Sequence, residues 1–206
     1  MAAEEPLYGY ATRAPLTAAE VRLLVSRSLA IQAYATLEQS LCRLFTYLSG
    51  TSDHVGATVF FRLTNSQSRI AILEQVMCLK HPGSHRTFFK SLIKMLKPLD
   101  GTRNEIVHWH TVQVVGGGIA DYKLEPPNFW VWQPTTRTHD AESLAEFSIK
   151  CDYVSRAVNI FTWVLRGEPD LPEELHELCR RPLTYPPPPH GLSVLTRTAP
   201  PSPPQL

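Results

Sequence analysis

Cysteine is scarce in this chain of 206 residues: Cys42, Cys78, Cys151 and Cys179 stand far apart with no C-x-x-C pair. That spacing suits neither a disulfide-stapled secreted scaffold nor a thiolate zinc site, and it predicts reduced thiols filling a core. Long apolar runs are missing too, with no stretch near the roughly 18 uninterrupted apolar residues that a spanning helix needs. The opening MAAEEPLYGY puts acids and a proline where a signal peptide places basic residues and an apolar run. A protein of the reducing cytoplasm, without membrane attachment, is expected.

Net charge is also small, at +1, whereas proteins that grip nucleic acid over their whole surface are strongly basic. Any such role has to come from a local patch. Metal-binding patterns are poor: His108-x-His110 diverges by about 200° on a helix, and Cys78-x-x-His81-x-x-x-His85 lacks the spacing of a site such as H-E-x-x-H. Neither a metal nor another cofactor is expected. There is no G-x-S-x-G elbow, and Gly116-Gly117-Gly118 lacks the lysine and hydroxyl of a P-loop.

The chain does contain ample helix-forming pattern, and 43% hydrophobic residues suffice for one core. Thr17-Ala-Ala-Glu20 has capping-box spacing, and apolar residues from Val21 to Leu48 recur three and four apart up to Gly50. The spacing predicts a helix of about 50 Å. Asp53 is a candidate cap for a second helical stretch to about Leu79, with Val59, Leu63, Ile70, Leu73 and Met77 inward. Ser84 is a candidate cap for a third, burying Phe88, Phe89, Leu92, Ile93 and Leu96. Pro98 and Gly101 leave its end open, because proline can kink or start a helix and Thr102-Arg-Asn-Glu105 repeats the capping-box spacing. Either way residues 103–108 are helical.

Residues 111–115, 119–124 and 129–132 are short β-prone runs separated by glycines and prolines, which predicts a small hairpin or three-stranded excursion. Asp140 then caps a last long helix whose Leu144, Phe147, Cys151, Val154, Val158, Phe161 and Leu165 form an unbroken seam. That seam demands a partner helix, either the first of this chain or one from a second copy. A short helix is expected at 172–180. Nine prolines follow in residues 182–206, predicting a disordered, Pro-rich tail. The expected architecture is mainly α: a four-to-five-helix bundle over residues 16–181, with a strand-rich insert at about 111–133 and an N-terminal extension over 1–15.

Arg103-Asn104-Glu105-Ile106-Val107-His108 carries the most specific chemistry. It resembles the R-x(4–6)-H motif of the HEPN superfamily, in which a polar residue such as Asn104 typically follows the arginine. The helical layout over residues 16–166 resembles that family's bundle. The resemblance implies metal-independent RNA cleavage by a homodimer in a toxin–antitoxin or defence setting, with a possible protein partner or inhibitor. Arg103 would hold the scissile phosphate, Asn104 orient it, and His108 act as general acid or base. The chemistry is reasonable on its own terms, since imidazole exchanges protons near neutral pH and guanidinium matches phosphate with two parallel donors. The same fold also includes non-catalytic binders of nucleotide, RNA or protein.

Two further features bear on this reading. Glu38, on the core-rich first helix, is a good candidate for a carboxylate supporting Arg103, in which case Asn104 and His108 would be hydrogen-bonded core polar groups. Between Glu74 and Asp100 there is no acid, yet Lys80, Arg86, Lys90, Lys94 and Lys97 all occur. The last four are spaced 4, 4 and 3, drawing a basic stripe able to follow an RNA backbone or simply to keep a helix face solvated. Trp130 and Trp132 share one side of a candidate strand, where they would cover the core or stack bases.

Overall fold

A computed structural model describes residues 15–81, 83, 85–116, 119–127 and 137–187. Among them the protein is mainly helical: α1 (Ala18–Ser49), α2 (Asp53–Arg62), α3 (Ser66–Lys80), α4 (Arg86–His108), α5 (Ala141–Arg166) and α6 (Glu173–Arg180). A two-stranded antiparallel sheet, β1 (His110–Gly116) and β2 (Ile119–Glu125), is inserted between α4 and α5.

The ends of α1 follow from its sequence. Thr17 accepts from the Glu20 backbone N–H at 3.2 Å, and Gly50 takes a left-handed φ of 68° that a side chain would resist. The seam of α5 packs on α1 of the same chain. Arg22 meets Glu142 at 3.6 Å, the Ser40 and Ser155 hydroxyls meet at 2.8 Å, and Tyr47 donates to the Leu165 carbonyl. These pairs advance together along both helices, so α1 and α5 run parallel and the chain from α2 to β2 lies in the crossover between them. The seven seam residues of α5 are all buried.

The stretch after Gly50 departs from expectation. Ser52 rather than Asp53 is the cap, and the helix breaks at Leu63, whose backbone turns extended; Asn65 then caps α3 by accepting from Gln67 N–H at 2.8 Å. The break puts Phe60 in the core at 0% exposure and leaves Val59 42% exposed. Gly56 explains the tight entry of α2: a Cβ there would lie 2.3 Å from Thr46 Oγ1 on α1.

α4 resolves the ambiguity at Pro98 and Gly101, because it runs through both as one helix of 23 residues. Pro98 lacks the N–H that would satisfy the Lys94 carbonyl, but both residues are exposed, so water can take that carbonyl. Phe88, Phe89, Leu92, Ile93 and Leu96 are buried as the spacing predicted. No fresh cap forms at Thr102; its Oγ1 instead accepts from Arg137 at 3.3 Å. The Ser84 cap and the strand at 129–132, with Trp130 and Trp132, lie outside the described residues.

Cys42, Cys151 and Cys179 are buried, and burial pushes the Cys151 and Cys179 thiols up to about 12, which keeps them protonated. Cys78 corrects the core-filler reading, since it is exposed. The start of the proline-rich segment is also corrected: Leu183 is 5% exposed and its N–H donates to Ser91 Oγ at 2.7 Å, and Tyr185 packs against the core beside it. The remainder of the tail, from 188, is outside the described residues. Among the described residues no helix is long and apolar enough to cross a membrane.

Candidate functional site

Helix α4 carries the motif and the basic stripe, and its geometry distributes them. At 3.6 residues per turn, Arg86, Lys90, Lys94, Lys97, Asn104 and His108 fall within an arc of about 80°, over about 33 Å of helix. All six are exposed. Among the described residues, none of the four cations makes an ion pair. Asn104 and His108 are therefore not core polar groups.

Arg103 projects from another side of α4. Its guanidinium lies over the Tyr34 ring, 5.8 Å from the centroid, and donates to Asn104 Oδ1 at 3.0 Å. It lines a polar cavity of about 370 Å³ between α1, the start of α3 and α4, which Asn104 also borders and His108 does not. One chain thus brings Arg103 and Asn104 together and leaves His108 on the outer face.

Glu38 lines the same cavity, but its partner is Arg69 and not Arg103. Arg69 also donates to the Leu63 carbonyl at 2.7 Å and stacks on Phe60 and Phe61, so it stabilises the α2–α3 break. Across the cavity Asp100 accepts from Tyr34 at 3.1 Å and from Ser66 at 2.6 Å. Burial, then the Asp100 and Glu38 charges, push the Tyr34 phenol far above its usual range, so it stays a neutral donor.

Sequence reasoning missed three residues that position the motif. Arg27 of α1 donates to the carbonyls of Ile106, Val107 and Trp109 at 2.9, 3.0 and 3.2 Å, satisfying acceptors that the helix end leaves open. His139 is buried, pairs with Glu105 through Nε2 at 2.8 Å and packs on Trp109. Arg137 takes the other Glu105 oxygen at 2.8 Å. Glu105 was therefore legible as part of the motif but not as the tie between α4 and the segment entering α5. The Leu124–His139 backbone bridge fixes the hairpin to the same point.

Among the described residues no group of three or more His, Cys, Asp or Glu could hold a metal ion. No family model, curated protein or solved structure matches this chain.

Proposed function

We propose that this chain is a HEPN-like helical module that binds RNA along the exposed face of α4. The observation that carries the reading is the alignment of Arg86, Lys90, Lys94 and Lys97 with Asn104 and His108 on one exposed face. Unpaired cations in a row match the spacing of phosphates on an extended strand and gain by releasing its counterions. Asn104 and His108 continue that row with groups that can bond sugar or base edges. The choice of RNA follows from the resemblance of 103–108 to the HEPN motif. Equilibrium titration of labelled single-stranded RNA tests the reading: the wild type binds, and Lys90→Glu with Lys94→Glu weakens binding at least tenfold while the helical circular-dichroism spectrum is retained. Equal binding by both proteins rejects it.

A second reading, metal-independent cleavage, is favoured by the exposure of His108 on the same face as the cations. A strand lying there would present its ribose 2′-hydroxyl to imidazole, which takes the proton as that oxygen attacks the adjacent phosphorus; the P–O5′ bond breaks and the leaving 5′-oxygen takes a proton from a second, protonated imidazole. A single chain supplies one such motif, so this reading calls for a homodimer in which a second copy contributes another histidine. It also requires Arg103 to leave the Tyr34 ring. Incubation of RNA in EDTA should then yield 2′,3′-cyclic phosphate ends that His108→Ala abolishes; intact RNA leaves only binding.

A further inference from the structure

The cavity beside Arg103 is chemically unlike the α4 face. Two arginines, Arg69 and Arg103, and two carboxylates, Glu38 and Asp100, line it together, so its formal charge balances. A phosphate alone would meet Glu38 and Asp100 as repelling neighbours. A neutral ligand with donors on one edge and acceptors on another matches both signs.

The existing bonds show which groups remain available. Arg69 is engaged by Glu38 and the Leu63 carbonyl. Arg103 commits one donor, to Asn104, and a guanidinium has five. Each Asp100 oxygen already accepts one hydroxyl, from Tyr34 and from Ser66, and each keeps a further lone pair. Tyr34 fixes the two free groups relative to each other: its hydroxyl holds Asp100 and its ring face carries Arg103.

We infer that this cavity receives a guanine base. Guanine presents O6 and N7 as adjacent acceptors, the pair a guanidinium fork reads, and presents N1–H and the 2-amino group as adjacent donors, which a carboxylate accepts. Adenine places an amino donor where guanine has O6, so it would face Arg103 with the wrong polarity. Cytosine and uracil lack two adjacent acceptors paired with two adjacent donors on a separate edge. The inference deepens the RNA reading and rests on it for the origin of the base: Asn104 borders both the cavity and the α4 face, so a nucleotide unstacked from a strand on α4 enters beside it.

Calorimetric titration of the full chain with GMP and with AMP isolates the base, because the phosphate and sugar are common to both. A parallel titration with guanine-free oligouridylate reads the α4 face alone. GMP should bind at least tenfold tighter than AMP, and both Asp100→Asn and Arg103→Lys should reduce that preference to under threefold. Arg103→Lys keeps the charge and removes the fork, so it serves should Asp100→Asn unfold. If oligouridylate binds and GMP and AMP bind equally or not at all, the cavity assignment is overturned and the RNA reading stands. If GMP is preferred and no RNA binds, the cavity assignment stands and the RNA reading falls.

Discussion

Arg27 Nε donates to the carbonyl of Ile106 at 2.9 Å, tying the first third of α1 to the last turn of α4. The same guanidinium reaches Val107 and Trp109, so one cation satisfies three carbonyls at the negative end of the α4 dipole. Hydrogen bonds from a charged donor contribute about 1.5–3 kcal/mol each, less where water can replace them. Arg27→Ala should cost about 2–3 kcal/mol, lowering Tm by several degrees at about 2–4 °C per kcal/mol. Arg27→Lys should recover only part, because an ammonium cannot reproduce the planar fork. Thermal unfolding followed by circular dichroism decides; an unchanged Tm for Arg27→Ala would show that this tie contributes nothing.

Gly56 makes a sharper prediction because space, not charge, is at stake. An added Cβ would lie 2.3 Å from Thr46 Oγ1 and 3.0 Å from Thr46 Cβ. Thr46 is itself buried and donates to the Cys42 carbonyl at 3.0 Å, so it has little room to yield. Gly56→Ala should destabilise by about 1–3 kcal/mol. Thr46→Ala in the same chain should return part of that loss, a coupling readable from a double-mutant cycle in urea. Additive losses would place the strain elsewhere.

Asp140 links stability to pH. Hydrogen bonding from the Ser143 backbone N–H, at 2.8 Å, holds its carboxyl below the usual carboxylate range. A depressed folded pKa means that the charged cap stabilises the protein above the unfolded value of about 3.9, and that this contribution is lost as pH falls through the folded value. Asp140→Ala should therefore cost about 1 kcal/mol at pH 7. The gap from wild type should narrow at pH 3, as judged by urea midpoints. A gap that is the same at both pH values would mean that the charge on the cap is irrelevant.

Much of this architecture is written locally. Thr17 and Gly50 bound α1, Asp140 and Gly167 bound α5, and each signal acts within a few residues of itself. The seam of α5 predicted a partner helix without choosing between α1 and a second copy, because periodicity records an apolar face and not what covers it. The α2–α3 break eluded the pattern since Thr64 and Asn65 interrupt an apolar rhythm without glycine or proline. Its stabiliser, Arg69 on the Leu63 carbonyl, exists only once the chain has turned. The candidate site divides the same way. Spacing alone drew the stripe of Arg86, Lys90, Lys94 and Lys97, but its alignment with Asn104 and His108 required α4 to run unbroken through Pro98 and Gly101, and the partners of Arg103 and Glu38 are tertiary: Tyr34 lies 69 residues before Arg103, and Arg69 lies 31 residues from Glu38.

The salt dependence of RNA binding tests the role of α4 most directly, because it counts the phosphates that the helix neutralises. For single strands, log Kd should rise with log salt by about 0.7 per neutralised phosphate. Replacing Lys90, Lys94 or Lys97 singly with alanine should lower the slope by about 0.7 each, while Arg156→Ala, on the exposed side of α5, should leave it unchanged. Equal slopes for all four variants and the wild type, or no RNA binding at low salt, would contradict the proposal.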